Sequence, residues 1–499
     1  MVSVEQWRDT LERYYPFLAF AAVYVAVMAV IGHQFYVSFS QFIAQDVAAL
    51  HQSVWNFVNG NGLRNTLLQG HLLESRFSPI FYALAVPYAV VPDYHTLYLL
   101  NILFAVVGAF PVYKLFMERY GQVSGVAASV ALLMHPYAFP VIAQGVRPLL
   151  FTMAFVPWVV YFLVEESPAG YVVGTLLCFS THILSVLLVV PVSVWFYVRK
   201  QDLRTLVPVL LGGVWFFLVM TETVIPITPI GAGHYPYGDS VGDFIVGVLT
   251  HPLGFLQFVF VQNHLKVLWA VLIVAVLLFV PLFSTFVTTS AFYVAAMVAT
   301  TRIYAVIHPL KQKTYAVLPL FLVSIYFGLP RTVRTAGRVL GWVSVAVPVE
   351  VTVRRVVLLV MATSLISSLA MSVAVLGVVS PDDNRYKYDQ PMVVSERDRA
   401  AWDLIERIPE DAPVKTTYMY AVALSDREKI RLFPLTHLQS KQEITEPHYI
   451  LIDTEVDWVP GPDVSRADIE AVIESENTVV VDRKQGLVLL REKAPQKGY

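Results

Sequence analysis

Long blocks of apolar residues without a single charge constrain this 499-residue chain more than any other feature. Four of them run from Phe17 to Ile31, from Leu206 to Met220, from Val267 to Phe283 and from Val356 to Val378. A helix that crosses the roughly 30 Å hydrocarbon layer of a bilayer needs about 20 mainly apolar residues. Only 14% of all residues are charged, whereas a soluble chain carries about 25%. The sequence therefore predicts a protein embedded in a membrane.

Hydropathy predicts about eleven membrane-spanning helices. The first covers residues 16–35, and because no small-residue cleavage site follows it, we predict a retained span rather than a signal peptide. Residues 79–92 are apolar but short and bounded by prolines, which favours an interfacial or re-entrant segment over a tilted span. The other spans lie near 97–116, 123–140, 148–164, 170–182, 183–198, 205–226, 264–284, 288–307, 313–330 and 356–378.

Basic residues predict the orientation of these spans. They cluster in three loops, around residues 114–119, 199–204 and 331–355. With the N-terminus in the cytoplasm, all three loops lie on the cytoplasmic face, as the positive-inside rule requires. About eleven spans then place the C-terminus outside, on the same side as external loops 36–78 and 225–264.

The composition changes to that of a soluble domain near Asp382. A helix with Ser395 as its N-cap, two strands and a hairpin are predicted there. These elements cover Ser395–Arg407, Val414–Leu424, Tyr449–Asp453, and Thr478–Asp482 with Gly486–Leu490. We therefore predict two parts: a polytopic α-helical membrane domain over 1–380 and a small soluble α/β domain over 381–499.

Charge and cysteine content exclude several kinds of function. The net charge is −2 and no basic stripe is present, so nucleic acid is not a predicted partner. The single cysteine, Cys178, excludes an intrachain disulfide and a multi-thiol metal site. The predicted spans contain few ionisable residues, Glu222 near an outer end being the main exception. Since buried charges mark ion paths, this distribution favours chemistry at the outer membrane surface.

The first external loop contains the best candidate for a general base. Asp46, Leu50 and Ser53 recur at helical spacing, which predicts a short interfacial helix with Trp55 as its anchor. Asp46 follows an apolar stretch, where partial desolvation would raise its basicity and suit it to accept a proton. The alternative is an acid that only stabilises the start of a helix.

Several short motifs together resemble a known family. Asp46 is followed by Gln52-x-x-Trp55-Asn56 and by Arg76-Phe-Ser-Pro-Ile80. Further matches are Tyr237-Gly238 before Leu249-Thr-His-Pro252, His308 before Tyr315-Ala-Val-Leu-Pro319, Leu424-Ser-Asp-Arg427 before Phe433-Pro434, and Tyr449-Ile-Leu-Ile-Asp453. The pattern resembles the predicted membrane proteins known as domain of unknown function 2079, over nearly the whole chain. That family resembles the GT-C superfamily of membrane glycosyltransferases.

The resemblance implies a prokaryotic plasma-membrane enzyme that takes a sugar from a polyprenyl-phosphate carrier and transfers it, with inversion, to an acceptor outside the cytoplasm. Asp46 would be the general base. The carrier phosphate needs cations and hydrogen-bond donors at the membrane surface, and the candidates are Arg76, Arg147, His182, Arg302, His308 and Lys311. Candidate sugar or acceptor contacts are Gln52, Trp55, Asn56, Tyr235 and Tyr237. The alternatives are snorkelling cations and an interfacial aromatic belt.

The chain departs from the family pattern at three polar positions. Arg76 replaces a histidine, Val146-Arg147-Pro148 replaces Phe-His-Pro, and Ser180-Thr181-His182 replaces Lys-Glu-Asp. These departures leave open a second function, a non-catalytic scaffold or a lipid-linked-glycan-binding subunit of an envelope assembly. A transporter or lipid flippase is a third reading, but it needs a polar path through the spans.

No metal site is assigned, although a divalent metal stays open as a cofactor. Oxygen and imidazole groups occur in the predicted external loops, but their spacing matches no known ligand pattern. They are Asp46, His71, Glu74, Glu222, His234, Asp239 and Asp243. The partners predicted are therefore membrane lipids, a lipid-linked sugar donor, and a protein or glycan acceptor.

Overall fold

In the block Val267–Phe283 the helix ends at Val276 and a turn follows, but most of the apolar residues fold into helices in the computed structural model. It describes residues 4–41, 44–68, 70–220, 237, 241–300, 312–341, 349–377, 393–433, 444, 446–455 and 466–493. In the first half of the chain the helices are α1 Val4–Val37, α2 Ala44–Val58, α3 Leu72–Arg76, α4 Ile80–Val90, α5 Tyr94–Tyr120, α6 Gln122–Leu133, α7 Phe139–Ala143, α8 Pro148–Val164, α9 Pro168–Thr181, α10 Val186–Lys200 and α11 Val207–Met220.

The described residues of the second half form nine further helices. They are α12 Val241–Thr250, α13 Pro252–Gln257, α14 His264–Val276, α15 Val287–Thr300, α16 Gln312–Tyr315, α17 Leu318–Gly341, α18 Val349–Gly377, α19 Glu396–Ile405 and α20 Arg466–Ile473. The described residues also include four 3₁₀ turns, Ile183–Ser185, Leu203–Leu206, Val280–Phe283 and Tyr418–Tyr420, and one π-helical turn, Phe258–Gln262.

Four helices of the described chain are long and apolar enough to cross a membrane. They are Leu11–Val37, Tyr94–Tyr120, Ile183–Lys200 and Val353–Ala370. Seven further apolar helices have 10–17 residues, and at 1.5 Å per residue a 17-residue helix reaches only about 25 Å. The structure therefore agrees with a multi-span protein, while the count of about eleven spans stays a prediction.

A sharp bend interrupts the apolar chain inside the predicted external loop 225–264. Asp243–Thr250 and Pro252–Gln262 would pass as one span but meet at 104°. The break falls at His251, and Pro252 opens the second helix, where a missing N–H costs nothing. Residues 241–262 are thus helical on both sides of His251, as a broken span or a re-entrant loop.

The backbone packs into two compact units. The first contains Met1–Val27, Asn101–Ile142 and Pro148–Ser372. The second combines Met28–Leu100, Ala143–Arg147 and Val373–Tyr499. The predicted boundary near residue 380 lies outside the described residues, so the division at that point stays a prediction. The second unit nevertheless joins the first predicted external loop to the C-terminal domain, by which we mean the described residues from 393 onwards.

The C-terminal domain is built around a mixed five-stranded sheet. Its strands are β3 Val414–Thr416, β4 Ile430–Leu432, β5 His448–Asp453, β6 Thr478–Lys484 and β7 Leu487–Glu492, in the order β4-β3-β5-β7-β6. Strand β3 is parallel to β4 and β5, and β7 is antiparallel to β5 and β6. The first two strands of the chain, β1 Arg64–Asn65 and β2 Gly70–His71, form a separate antiparallel pair.

The sheet confirms most of the predicted C-terminal elements. The β6–β7 hairpin turns at Gln485 and Gly486, whose positive φ values of 46° and 74° suit a two-residue turn. The predicted strand Val414–Leu424 was too long, because after Thr416 the chain turns into 3₁₀ geometry. Tyr420 there donates to the buried Asp453 carboxylate, 3.0 Å away.

Asp453, the last residue of β5, is part of a packed ion pair. Its carboxylate bonds Arg397 of α19, and burial raises its pKa while the Arg397 charge lowers it. With both oxygens bonded inside the domain, Asp453 ties α19 to the sheet.

Ser395 is the N-cap of α19, as predicted, and it forms a capping box with Asp398. Its hydroxyl accepts from Asp398 N at 3.1 Å, and the Asp398 carboxylate accepts from Ser395 N at 2.8 Å. Losing such a cap costs about 1 kcal/mol. Ser395→Ala is therefore expected to speed amide exchange in the first turn of α19 roughly fivefold, while Ser395→Asn keeps it slow. Equal exchange in Ser395→Ala and wild type would contradict a stabilising cap.

Candidate functional site

Asp46 lies in the first turn of α2, where a carboxylate interacts favourably with the helix dipole. It is partly exposed, like Trp55, and only Phe57 and Val58 at the C-terminal end are more open. The other eleven of the fifteen residues of α2 are buried. The predicted helix is confirmed, but it is enclosed by protein on most sides, so its apolar residues form a core rather than a membrane-facing stripe.

The segment that ends at Arg147 packs against this first turn. Gly145 has a φ of +128°, and a Cβ added there would lie 3.1 Å from Val47, the residue after Asp46. Arg147 is 2% exposed, and its Nη2 donates to Gln144 Oε1 at 3.1 Å. Two residues predicted from separate loops, Asp46 and Arg147, therefore stand on neighbouring segments of one compact unit.

Gly145 is required by this packing, which gives a direct test of it. Few L-residues adopt its φ, and a Cβ would also lie 2.9 Å from Tyr94 Oη. Strain of this kind costs on the order of 1–3 kcal/mol, so Gly145→Ala should lower the melting temperature in detergent.

Gly213→Ala is the matched control, because nothing lies within 4 Å of the added Cβ in α11. It should melt at or slightly above the wild-type temperature, since alanine favours helix. If Gly145→Ala melted like this control, the contact of residues 143–147 with Tyr94 and Val47 would be wrong.

His51 links α2, α4 and the C-terminal domain through one chain of hydrogen bonds. Its Nδ1 lies 2.7 Å from Ser425 Oγ, and its Nε2 lies 2.9 Å from Tyr88 Oη. The Ser425 hydroxyl donates to Val422 O at 2.7 Å. Because serine has a single hydroxyl proton, His51 Nδ1–H donates to Ser425 Oγ, and Tyr88 donates to Nε2. Burial lowers the pKa of His51 to about 4, so the ring is neutral near pH 7, as this arrangement requires.

Gln52 and Asn56 use their amides inside the protein. Gln52 is fully buried, with Nε2 3.0 Å from Thr66 Oγ1 and with Oε1 accepting from Thr66 N at 2.9 Å. Asn56 Nδ2 donates to Arg64 O at 2.9 Å. These bonds hold the loop that follows α2, and either residue would reach a sugar only after they opened. Trp55, half-buried on the same helix, needs no such opening.

The other predicted residues fall in several places. His182 caps the 3₁₀ turn after α9, with Nδ1 accepting from Leu184 N at 3.1 Å. The Tyr237 ring stacks on His251 at 6.2 Å and packs on Gly247 of α12. Arg76 ends α3, and only its backbone is described. Arg302, His308, Lys311 and Tyr235 lie outside the described residues.

No group of three or more His, Cys, Asp or Glu side chains that could hold a metal occurs within the described part of the chain. Of the acids and histidines considered as ligands, Glu222, His234 and Asp239 lie outside it. His71 uses Nδ1 to cap α3, accepting from Leu73 N at 3.2 Å.

Sequence reasoning missed His51, Thr66 and Ser425. A signal for two of them was present, since His51 directly precedes the Gln52 motif and Ser425 lies inside Leu424-Ser-Asp-Arg427. These two motifs, quoted separately for the resemblance, contact each other in the folded chain.

A family model described as predicted membrane protein (DUF2079) matches residues 41–489, about nine-tenths of the chain. The chain belongs to this family. The match includes every predicted site residue of this DUF2079 protein, from Asp46 to Lys311. No curated protein matches it.

Solved structures show the fold of the DUF2079 chain. ArnT from Cupriavidus metallidurans bound to undecaprenyl phosphate is 14% identical, with a TM-score of 0.50 over 98% of this chain and 99% of ArnT. Its apo state is 12% identical, with a TM-score of 0.51 over 97% and 99%. An Archaeoglobus fulgidus oligosaccharyltransferase tethered to an acceptor peptide is 9% identical, covering 90% and 70%, at a TM-score of 0.38. The two ArnT structures establish a GT-C fold, as the resemblance implied.

Proposed function

We propose that this DUF2079 chain is a GT-C-like membrane glycosyltransferase that moves a sugar from a polyprenyl-phosphate carrier to an extracytoplasmic acceptor. The observation that carries the proposal is the packing of Val47, next to Asp46, against Gly145, two residues before the buried Arg147. A carboxylate and a buried cation on neighbouring segments suit a reaction that needs a base and a phosphate-binding group. The fold shared with ArnT, solved with undecaprenyl phosphate, supports the choice of carrier.

In the proposed reaction, a nucleophilic group of the acceptor attacks the anomeric carbon of the sugar. The bond from that carbon to the phosphate oxygen breaks, and the configuration inverts. Asp46 takes the acceptor's proton, and Arg147 stabilises the leaving polyprenyl phosphate by charge-assisted hydrogen bonds. Arg76, His182, Arg302, His308 and Lys311 remain proposed phosphate contacts, with Trp55, Tyr235 and Tyr237 as proposed sugar contacts; Gln52 and Asn56 would join them only if their internal bonds opened.

Native mass spectrometry of the purified protein, followed by a transfer assay, tests this function. We expect a co-purified polyprenyl-phosphate species, and transfer of labelled sugar from a polyprenyl-phosphate donor to an acceptor extracted from the same membranes. Absence of both bound carrier and transfer, over a panel of carrier-linked sugars, would contradict the proposal.

A non-catalytic binder of lipid-linked glycans is the second candidate. The burial of Gln52 and Asn56 favours it, because these amides are occupied by the protein and leave α2 fewer polar groups for an acceptor. This function predicts bound carrier without transfer of sugar to any acceptor.

A further inference from the structure

Backbone carbonyls of the C-terminal domain hold the helix that carries Asp46. Gln52, on the same helix, lies with Nε2 3.1 Å from Arg427 O and 2.9 Å from Glu428 O. Its Oε1 accepts from Thr66 N at 2.9 Å. Because both ends of this buried amide are bonded, Gln52 fixes α2 against the domain and against the loop that follows α2.

Thr66 extends the contact to the edge of the sheet. Its hydroxyl donates to Ile430 O at 2.6 Å and accepts from Ile430 N at 3.0 Å. Ile430 begins β4, which lies at one edge of the sheet, where backbone groups lack a neighbouring strand. The single Thr66 hydroxyl therefore satisfies both backbone groups of an edge residue, as a paired strand would.

Arg427 shapes the segment that Gln52 recognises. Its guanidinium is buried, with Nε donating to Leu424 O at 2.8 Å and Nη1 donating to Ala412 O at 2.9 Å. These bonds tie the turn before β4 to the domain's own backbone. The carbonyls of residues 427 and 428 therefore face α2 from a turn whose conformation is fixed by the hydrogen bonds of the Arg427 guanidinium.

A second, aromatic attachment supports the first. Trp402 of α19 donates from Nε1 to Val37 O, the last residue of α1, at 3.0 Å. The Trp402 ring stacks on Phe39 with centroids 5.0 Å apart, and Tyr420 meets Phe39 edge-on at 4.8 Å. The domain thus contacts the chain on both sides of Asp46. One set of contacts lies before α2, at residues 37–39, and the other lies within and after α2, at residues 51–66.

We propose that the C-terminal domain completes the candidate site by positioning α2, with Thr66 and the segment 425–430 as the positioning residues. The proposal rests on the glycosyltransferase function proposed above. Without the domain, His51 Nδ1 would lose its partner Ser425, and Gln52 Nε2 would lose its two carbonyl acceptors. Docked on the domain, it holds Asp46 at a fixed position for the acceptor.

Thr66→Val is the sharpest test, because it keeps the shape of the side chain and removes only the hydroxyl; Thr66→Ser keeps the hydroxyl and serves as the matched control. In the full-length protein, Thr66→Val should accelerate amide exchange at Ile430 and across residues 46–52 about tenfold, and Thr66→Ser should not.

In the transfer assay Thr66→Val should lower kcat about tenfold or more with KM for the donor changed less than threefold, because misplacing the base affects the reacting geometry. Thr66→Ser should restore kcat.

The possible results separate the two proposals. Unchanged exchange at Ile430 and α2 in Thr66→Val would overturn the positioning role, and so would accelerated exchange with unchanged kcat. If wild type transferred no sugar from any donor, the proposed function would fail. The exchange of α2 would then still decide whether the domain holds this helix.

Discussion

Asp46→Asn is expected to reduce sugar transfer by about 10²–10⁴-fold, the usual contribution of a positioned general base. Asparagine has nearly the same size and can still lie in the first turn of α2, so the helix should remain folded. The amide cannot accept a proton from the acceptor, whereas donor binding does not need the carboxylate. Initial rates at saturating donor, together with donor affinity from native mass spectrometry, would separate the two effects; affinity should change less than about threefold.

Asp93→Asn is the matched control for this change. Asp93 is an exposed carboxylate of the same compact unit, bonded to His95 at 2.6 Å, and it has no role in the proposed site. Its variant should transfer sugar at close to the wild-type rate. Transfer by Asp46→Asn at the rate of Asp93→Asn would remove Asp46 from the mechanism and favour the non-catalytic binder.

Arg147→Gln is expected to weaken binding of the polyprenyl-phosphate donor about 10- to 100-fold. A charge-assisted hydrogen bond contributes about 1.5–3 kcal/mol, and the burial of Arg147 removes the competing water that would screen it. Arg147→Lys should fall between Gln and wild type, since a lysine keeps the charge but not the planar pair of donors. The measurement is KM for the donor, checked against the dissociation constant of the free carrier phosphate.

Arg199→Gln provides the comparison for this variant. Arg199 is an exposed cation near the end of α10 that bonds Thr285 at 2.8 Å, and it lies in a predicted cytoplasmic loop. Its loss should leave KM for the donor unchanged. Donor affinity in Arg147→Gln equal to that in Arg199→Gln would exclude Arg147 from the phosphate site.

The sequence predicts those helices whose limits depend on residues close together in the chain. The uncharged block Val356–Val378 lies almost entirely inside α18, which extends from Val349 to Gly377, because apolar residues in a membrane must satisfy their backbone within a helix. Ser395 and Asp398 carry their capping signal within four residues, so the start of α19 could be predicted to the residue. By contrast, after Thr416 the chain leaves the sheet, and Thr417 and Tyr420 bond Asp453 instead. No sequence pattern near Thr416 predicts these contacts.

The candidate site was predictable only in part, because its parts are distant in sequence. Asp46 could be singled out from its own surroundings, and Arg147 from a departure in a matched motif. The contact of His51 with Ser425 joins residues 374 positions apart, and no periodicity or spacing reports such a pairing. For the same reason the sequence could not show that the amides of Gln52 and Asn56 are bonded inside the protein, because their acceptors at Arg427, Glu428 and Arg64 become visible only in the folded chain.

The hydrogen bond from Trp402 to Val37 also constrains how the chain is threaded. Val37 ends the apolar stretch Leu11–Val37, which is long enough to cross the membrane, and Trp402 lies in a domain that contacts that end directly. In a chain whose Leu11–Val37 stretch crosses the membrane, α19 lies at the face where α1 ends, so this contact requires an even number of crossings between the two helices. Together with α1 the number of crossings is then odd, as it is in the predicted count of about eleven.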